Sequence, residues 1–254
     1  MKNFITQNKY KRIRQLLIVA FWLLVWQLIG KGIPKLLFAG PLEVFKCLLK
    51  LVVLPDTWRT AGNSIFRVAV GFFAAFICGN VLAVASHRFK FLKELLSPIV
   101  QLVKTIPVAS FIIVALIWIS SKNVSILISF VVVFPISYVN MLEGLANVDV
   151  RLLEMAEVFR IRPFDKFRAI YFHQLLPFII SGCKVSVGMA WKAGVAGEII
   201  GRPDYSVGDM LYAAKLYLAT DELFAWTVII ILLGVAFEKC ILLLLKVVEK
   251  RTKG

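Results

Sequence analysis

Long apolar runs separated by short polar loops dominate this chain. Six are readable: Leu16 to Ile33, about Ile65 to Ala85, a run after Pro107 ending near Ile119, Val124 to Leu142, about Leu176 to Ala196, and about Leu223 to Leu245. Most approach the ~20 apolar residues that a helix needs to cross a bilayer core. The third is short. It gains length from Leu95 to Ile106, with Pro98 and Pro107 kinking or breaking the helix. The pattern predicts an all-α, polytopic membrane protein with about six spans. Two connections also have helical spacing. Pro41 to Val53 carries Leu42, Phe45, Leu48, Leu49 and Val52 and is expected in the outer membrane interface. Asp204 to Leu218 resembles a short amphipathic helix, and Thr220-Asp221-Glu222 caps the sixth run.

Composition agrees. The 254 residues are 60% hydrophobic and 18% charged, more apolar and less charged than the soluble norm of about half and about a quarter. The formal net charge of +15 would suggest nucleic acid in a soluble chain, but its distribution gives another reading. Cations cluster before the first run (Lys2, Lys9, Lys11, Arg12, Arg14), after the second (Arg88, Lys90, Lys93, Lys104), after the fourth (Arg151, Arg160, Arg162, Lys166, Arg168) and after the sixth (Lys246, Lys250, Arg251, Lys253). The alternate loops hold fewer, among them Lys31, Lys35, Lys46, Lys50, Arg59, Lys122, Arg202 and Lys215. This asymmetry puts both termini and the loop 143–173 in the cytoplasm and removes nucleic acid as a partner. It divides the chain into a basic cytoplasmic N-terminus (1–15), a transmembrane domain (16–245) with a cytoplasmic loop (149–173), and a basic tail (246–254). The first run lacks a small-x-small cleavage site and reads as a retained span. Cys47, Cys78, Cys183 and Cys240 are scattered, and His87 and His173 are far apart, so neither a disulfide framework nor a metal site is expected.

The loop DVRLLEMAEVFRIRPFDKFRAIYFHQLLP, Asp149 to Pro177, is too patterned for a simple turn. Leu152, Leu153, Met155, Ala156 and Phe159 fit one apolar helix face, with Asp149 as N-cap. Pro163 suits the first turn of a second short helix, carrying Phe164, Phe167, Ile170 and Tyr171, that meets the first at an angle. The resulting apolar and basic surface fits either a protein partner or lipid headgroups.

The segment resembles the EAA loop of ABC-importer permeases, which docks into the ATP-hydrolysing subunit. Glu154-Met155-Ala156 stands at the E-A-A, and Phe167, Leu175, Leu176 and Pro177 fit later positions. RVAVGFF from Arg67, LSPIVQLVKTIP from Leu96 and CKVSVGMAWKAGVAGEI from Cys183 resemble the nitrate/sulfonate/taurine branch. The resemblance covers about residues 60 to 250. It implies a type I permease fold, alternating access, and coupling through Glu154, Met155, Ala156, Phe159, Arg160 and Phe164. It also implies two permease copies, two copies of an ATPase carrying ATP and Mg, and an extracytoplasmic substrate-binding protein or lipoprotein. This chain has no G-x-x-x-x-G-K-[ST], so nucleotide binding is expected on the partner and not here. The loop departs from the family at Met155 for Ala, Arg160 for Gly and His173 for Pro. Arg160 stands where Gly normally permits a tight turn, and it is a candidate contact to the ATPase.

Ionisable residues within spans are costly and mark functional candidates. Lys184 and Lys192, eight residues apart, share one face of the fifth run; Glu198 ends it, and Arg67 lies near the start of the second. These four are candidates for the path of a small polar or anionic solute. Lys184 can equally snorkel to an interface, and Lys192 can pair structurally with Glu198. An ion-coupled secondary transporter is the alternative, but it would need acidic groups in mid-span, which are scarce here. A membrane enzyme would need a clustered catalytic constellation, and none is apparent.

Overall fold

The computed structural model describes residues 2–34 and 36–253, with side chains described for 13–34 and 36–247. The cations Lys2, Lys9, Lys11, Arg12, Lys35, Lys250, Arg251 and Lys253 lie outside the described side chains. Every regular element among the described residues is helical: α1 (Lys2–Gly32), α2 (Pro41–Val53), α3 (Pro55–Arg88), α4 (Lys90–Thr105), α5 (Val108–Ala115), α6 (Ser121–Ala146), α7 (Val150–Val158), α8 (Pro163–Lys166), a π turn (Phe167–Tyr171), α9 (Phe172–Gly201), α10 (Val207–Leu216) and α11 (Thr220–Lys253). Five helices are long and apolar enough to span a bilayer, and the bent pair α4 and α5 makes up to six. The chain forms two compact units: residues up to 58 with 210–230, and residues 59–209 with 231 onward.

In the first unit, α2 folds as its spacing predicts. Val44 and Cys47 are buried with Ala39 and Ala225, flanked by Trp26, Leu48, Leu51, Phe224 and Val228. The turn before α2 is fixed to α1: Trp26 Nε1 donates to the Ala39 carbonyl at 3.1 Å, and the Leu42 N–H donates to Gln27 Oε1 at 3.4 Å. Gly40 N–H, otherwise an orphan at the helix start, donates to Glu43 Oε2 at 3.3 Å.

The second unit is built on α3, α6 and α9. Small residues let these helices approach closely, because lipid offers no hydrophobic drive and close van der Waals packing must supply the association. A Cβ on Gly71 would strike the Ile126 carbonyl oxygen, and one on Gly79 would lie 2.9 Å from that of Phe134. α3 therefore runs parallel to α6. Gly194 faces Ser129, Gly182 faces Asn140 and Gly144 faces Phe178, so α9 runs antiparallel to α6. Ser129 Oγ donates to the Ala190 carbonyl at 3.2 Å, satisfying one buried hydroxyl across that contact.

The third apolar run is a broken helix. α4 and α5 bend by 107°. The break falls at Ile106 and Pro107, where both residues are extended, because proline disfavours helical backbone in the residue before it. Pro98, the other expected breaker, stays inside α4. Val100 of α4 packs in a cluster with Tyr138, Met141 and Leu145, towards the C-terminal end of α6. Ile112 of α5 packs with Val124 and Ile128 near its start. The bent pair therefore travels the length of α6, and it counts as a crossing.

One expectation needs correcting. The loop 149–173 holds one separate helix, α7, and not two. α8, the π turn and α9 form a continuous run, Pro163–Gly201. Pro163 starts it as expected. The π turn then absorbs one extra residue, with the Phe172 N–H bonding to the Phe167 carbonyl. The break expected between the two helices of the loop is present at 159–162; what differs is that the second helix does not end within the loop but runs on into the fifth span. The amphipathic segment expected from Asp204 is also shorter, beginning at Val207.

Candidate functional site

The loop 149–173 sits on the bundle by its small residue. Asp149 caps α7 through Oδ1, which accepts from the Arg151 N–H at 2.8 Å, and its own N–H donates to Gln174 Oε1 of α9 at 2.8 Å. Ala156 is 1% exposed and packs with Val148, Ile170 and Leu175. Its neighbours point away. Glu154, Met155 and Val158 are exposed, Phe159 is 74% exposed and Phe164 71%. A short helix thus buries Ala156 inward and holds an apolar tip outward, with Arg160 and Arg162 beside it.

Arg160 explains its own departure from the expected glycine. It has φ 50°, in the left-handed region that an L side chain enters at a cost of about 1 kcal/mol. α7 ends in a Schellman turn: the Arg160 N–H bonds to the Glu157 carbonyl at 3.0 Å and the Ile161 N–H to the Ala156 carbonyl at 2.9 Å. The turn is kept and the arginine bears its strain. Two substitutions separate backbone from charge. Arg160→Gly is expected to stabilise the protein by up to about 1 kcal/mol, read as a higher thermal midpoint. Arg160→Glu keeps the strain and reverses the charge. If Arg160 touches an ATPase, transport falls with Glu; unchanged transport and assembly would remove that contact.

On α9, Lys184 and Lys192 are exposed and share a face with Ser181, Val185 and Met189. Gly188, on the same face, has nothing within 4 Å of where a Cβ would stand. The opposite side is packed, with Cys183, Val187, Ala190, Trp191 and Gly194 buried. Trp191 is held by Phe237, at 6.0 Å between ring centroids, and by Gly234. Trp118 is exposed. Neither lysine forms an ion pair among the described residues.

Glu198 and Arg67 lie elsewhere. Glu198 is six residues beyond Lys192, on the packed side of α9, and is 0% exposed. The pairing of Lys192 with Glu198 is therefore not formed. Ser64 Oγ donates to Glu198 Oε2 at 2.7 Å and accepts from the Val207 N–H at 3.0 Å. The Gly208 N–H lies 3.5 Å from the same carboxylate oxygen. A Cβ on Gly208 would strike the Glu198 backbone at 2.5 Å, so only glycine permits this approach. Arg67 Nη1 stands 3.8 Å from Glu198 Oε1, and Nη2 donates to the Asp204 carbonyl at 3.2 Å. Asn63 Nδ2 donates to the Tyr205 carbonyl at 3.3 Å, and the Arg59 guanidinium lies 4.2 Å from the Tyr205 ring centroid. Arg202 and Tyr205, at φ 50° and 51°, turn the chain back over the carboxylate. Sequence reasoning missed Ser64, Gly208 and the loop 202–209. Ser64 stands three residues before Arg67 on one helix face, a signal available in the sequence; Gly208 gives none.

A bundle of apolar spans with a lysine-bearing open face and an apolar elbow seated on its end fits the membrane subunit of a transporter. The comparisons agree. Residues 56–254 match the family of binding-protein-dependent transport system inner membrane components, and the chain belongs to that family. It is 25% identical over 232 residues to the putative aliphatic sulfonates transport permease protein SsuC of Bacillus subtilis, covering 90% of this chain and 83% of that one. It is 30% identical over 201 residues to the nitrate import permease protein NrtB of Synechocystis, covering 75% and 72%. It is 23% identical over 228 residues to the taurine transport system permease protein TauC of Escherichia coli, covering 87% and 82%. The chain is thus a multi-pass permease subunit of the nitrate/sulfonate/taurine branch.

Proposed function

We propose that two copies of this chain form the path for a small oxyanion or similar polar solute, driven by two copies of a separate ATPase that carries ATP and Mg. An extracytoplasmic binding protein or lipoprotein delivers the solute. Both termini and the loop 149–173 face the cytoplasm, in line with the loop charges. The transmembrane domain is 16–245, between a basic N-terminal segment and a basic tail. The observation that carries this reading is the continuity of Pro163–Gly201. One helical run links the exposed Phe164, beside the ATPase-facing elbow, to the exposed face of Lys184 and Lys192. A push at Phe164 is carried toward the lysines along one helical run, which includes the π turn and Pro177. Glu154, Met155, Ala156, Phe159, Arg160 and Phe164 form the coupling surface. Lys184 and Lys192 meet the solute, while Arg67 and Glu198 hold the wall behind them. Relatives named for sulfonate, nitrate and taurine transport carry solutes with anionic oxygens, which two lysines suit.

Lys192→Met tests the path. A hydrogen bond to a charged group contributes about 1.5 to 3 kcal/mol, so uptake into vesicles is expected to fall about 10- to 100-fold. Assembly with the ATPase is expected to be unchanged, and Lys192→Arg to recover part of the uptake. Full uptake by Lys192→Met would overturn the assignment.

A further inference from the structure

We infer that α2 is an in-plane anchor whose exposed apolar stripe is covered by lipid acyl chains at the extracytoplasmic face of the membrane. Successive helix residues are about 100° apart, and this divides α2 into three faces. Val44, Cys47, Leu48 and Leu51 form one, packed on Phe224, Ala225 and Val228 of α11. Glu43, Lys46 and Lys50 form the second, which is polar. Leu42, Phe45, Leu49, Val52 and Val53 form the third, and all five are exposed. A helix in water would carry polar residues on that third face.

The depth of α2 selects the occupant. Ala225 and Val228 come five and eight residues after the start of α11 at Thr220, about 7 to 12 Å along the helix. The Thr220 end of α11 lies at the outer membrane boundary in the topology proposed above, on which this inference rests; α2 is then level with the headgroup and acyl boundary, where in-plane helices bury their apolar faces about 5 to 10 Å deep. The chain leaves it no freedom to rise: Gln27 of α1 holds its first turn, and Leu54 alone separates it from α3. Trp58 follows, exposed, with its indole N–H donating to the Val52 carbonyl at 2.9 Å. That placement is typical of the aromatic belt at a membrane interface. Lys46 and Lys50, both exposed on the polar face, suit anionic headgroups beside that stripe.

Photo-crosslinking tests the occupant. p-Benzoylphenylalanine is placed at Phe45, and separately at Leu49, in the intact transporter in nanodiscs of phosphatidylethanolamine and phosphatidylglycerol. Both positions are exposed, so the larger aromatic displaces no packing. The same label at Val158 of the loop is the reference for a protein-facing site. Lipid adducts are expected to predominate over protein adducts at 45 and 49, and protein adducts at 158. Adducts to a second permease copy or to another subunit would overturn the inference, as would the absence of any adduct, which would place the stripe in water.

Discussion

Arg67→Met lowers the stability of the purified protein by about 3 to 5 kcal/mol, because it strands the Glu198 carboxylate in a site with no exposure. At this chain length that amounts to a fall of roughly 6 to 20 °C in the thermal midpoint. Burial is what makes the loss large. An exposed pair at 3.8 Å would contribute less than about 1 kcal/mol, but neither Arg67 Nη1 nor Glu198 Oε1 has a hydrogen-bond partner in the protein. Each therefore depends on the opposite charge of the other. The Asp204 carbonyl also loses its donor, which loosens the loop 202–209. The double variant Arg67→Met, Glu198→Gln is expected to regain most of the loss. The amide that replaces the carboxylate can still accept from the Ser64 hydroxyl and the Gly208 N–H while carrying no charge to compensate. A double variant no more stable than Arg67→Met would show that the pair contributes no charge compensation, and that the damage lies in packing alone.

The sequence shows the spans clearly and the polar knot poorly, for physical reasons. Apolar periodicity and loop charge are local properties, so all six runs, the α2 segment with its bounds, the Asp149 cap and the Pro163 start could be read without coordinates. The broken third run could be read because proline acts on its own backbone and on the residue before it. The continuity of α8 with α9 could not, because a π turn leaves no compositional mark and Pro163 is compatible with either outcome. Arg67 and Glu198 stand out as intramembrane charges, but each finds its partner in space on a helix far away in sequence. The backbone donors that complete the site, at Val207 and Gly208, belong to no side-chain motif. Lys192 and Glu198 illustrate the same limit. Their spacing places them on different sides of α9, yet only the packing of α3 and α6 shows which side is closed. The glycine expected at position 160 illustrates the opposite case. The turn geometry survived the change of residue, because the Schellman hydrogen bonds involve only backbone groups.

The largest functional loss is expected from Phe159→Ala combined with Phe164→Ala. Both rings are mostly exposed, at 74% and 71%, and neither belongs to the cluster that seats Ala156 on the bundle. Truncating them removes little from the isolated permease, so its thermal midpoint is expected to stay within about 4 °C, as for two surface substitutions of about 0.5 kcal/mol each. Against a docked ATPase the same rings would be buried anchors. Losing one such anchor costs about 2 kcal/mol or more, and losing two would weaken docking by about a thousandfold. The ATPase would then no longer co-purify, and uptake would stop while the permease remained folded in the membrane. Ala156→Leu provides the contrasting case. It forces a larger side chain into the seat against Ile170 and Leu175, so it should lower the thermal midpoint and docking together. If the phenylalanine pair behaved like Ala156→Leu, the two rings would be holding the loop's own fold. If the ATPase stayed bound without them, the elbow would have to transmit its motion through some other surface.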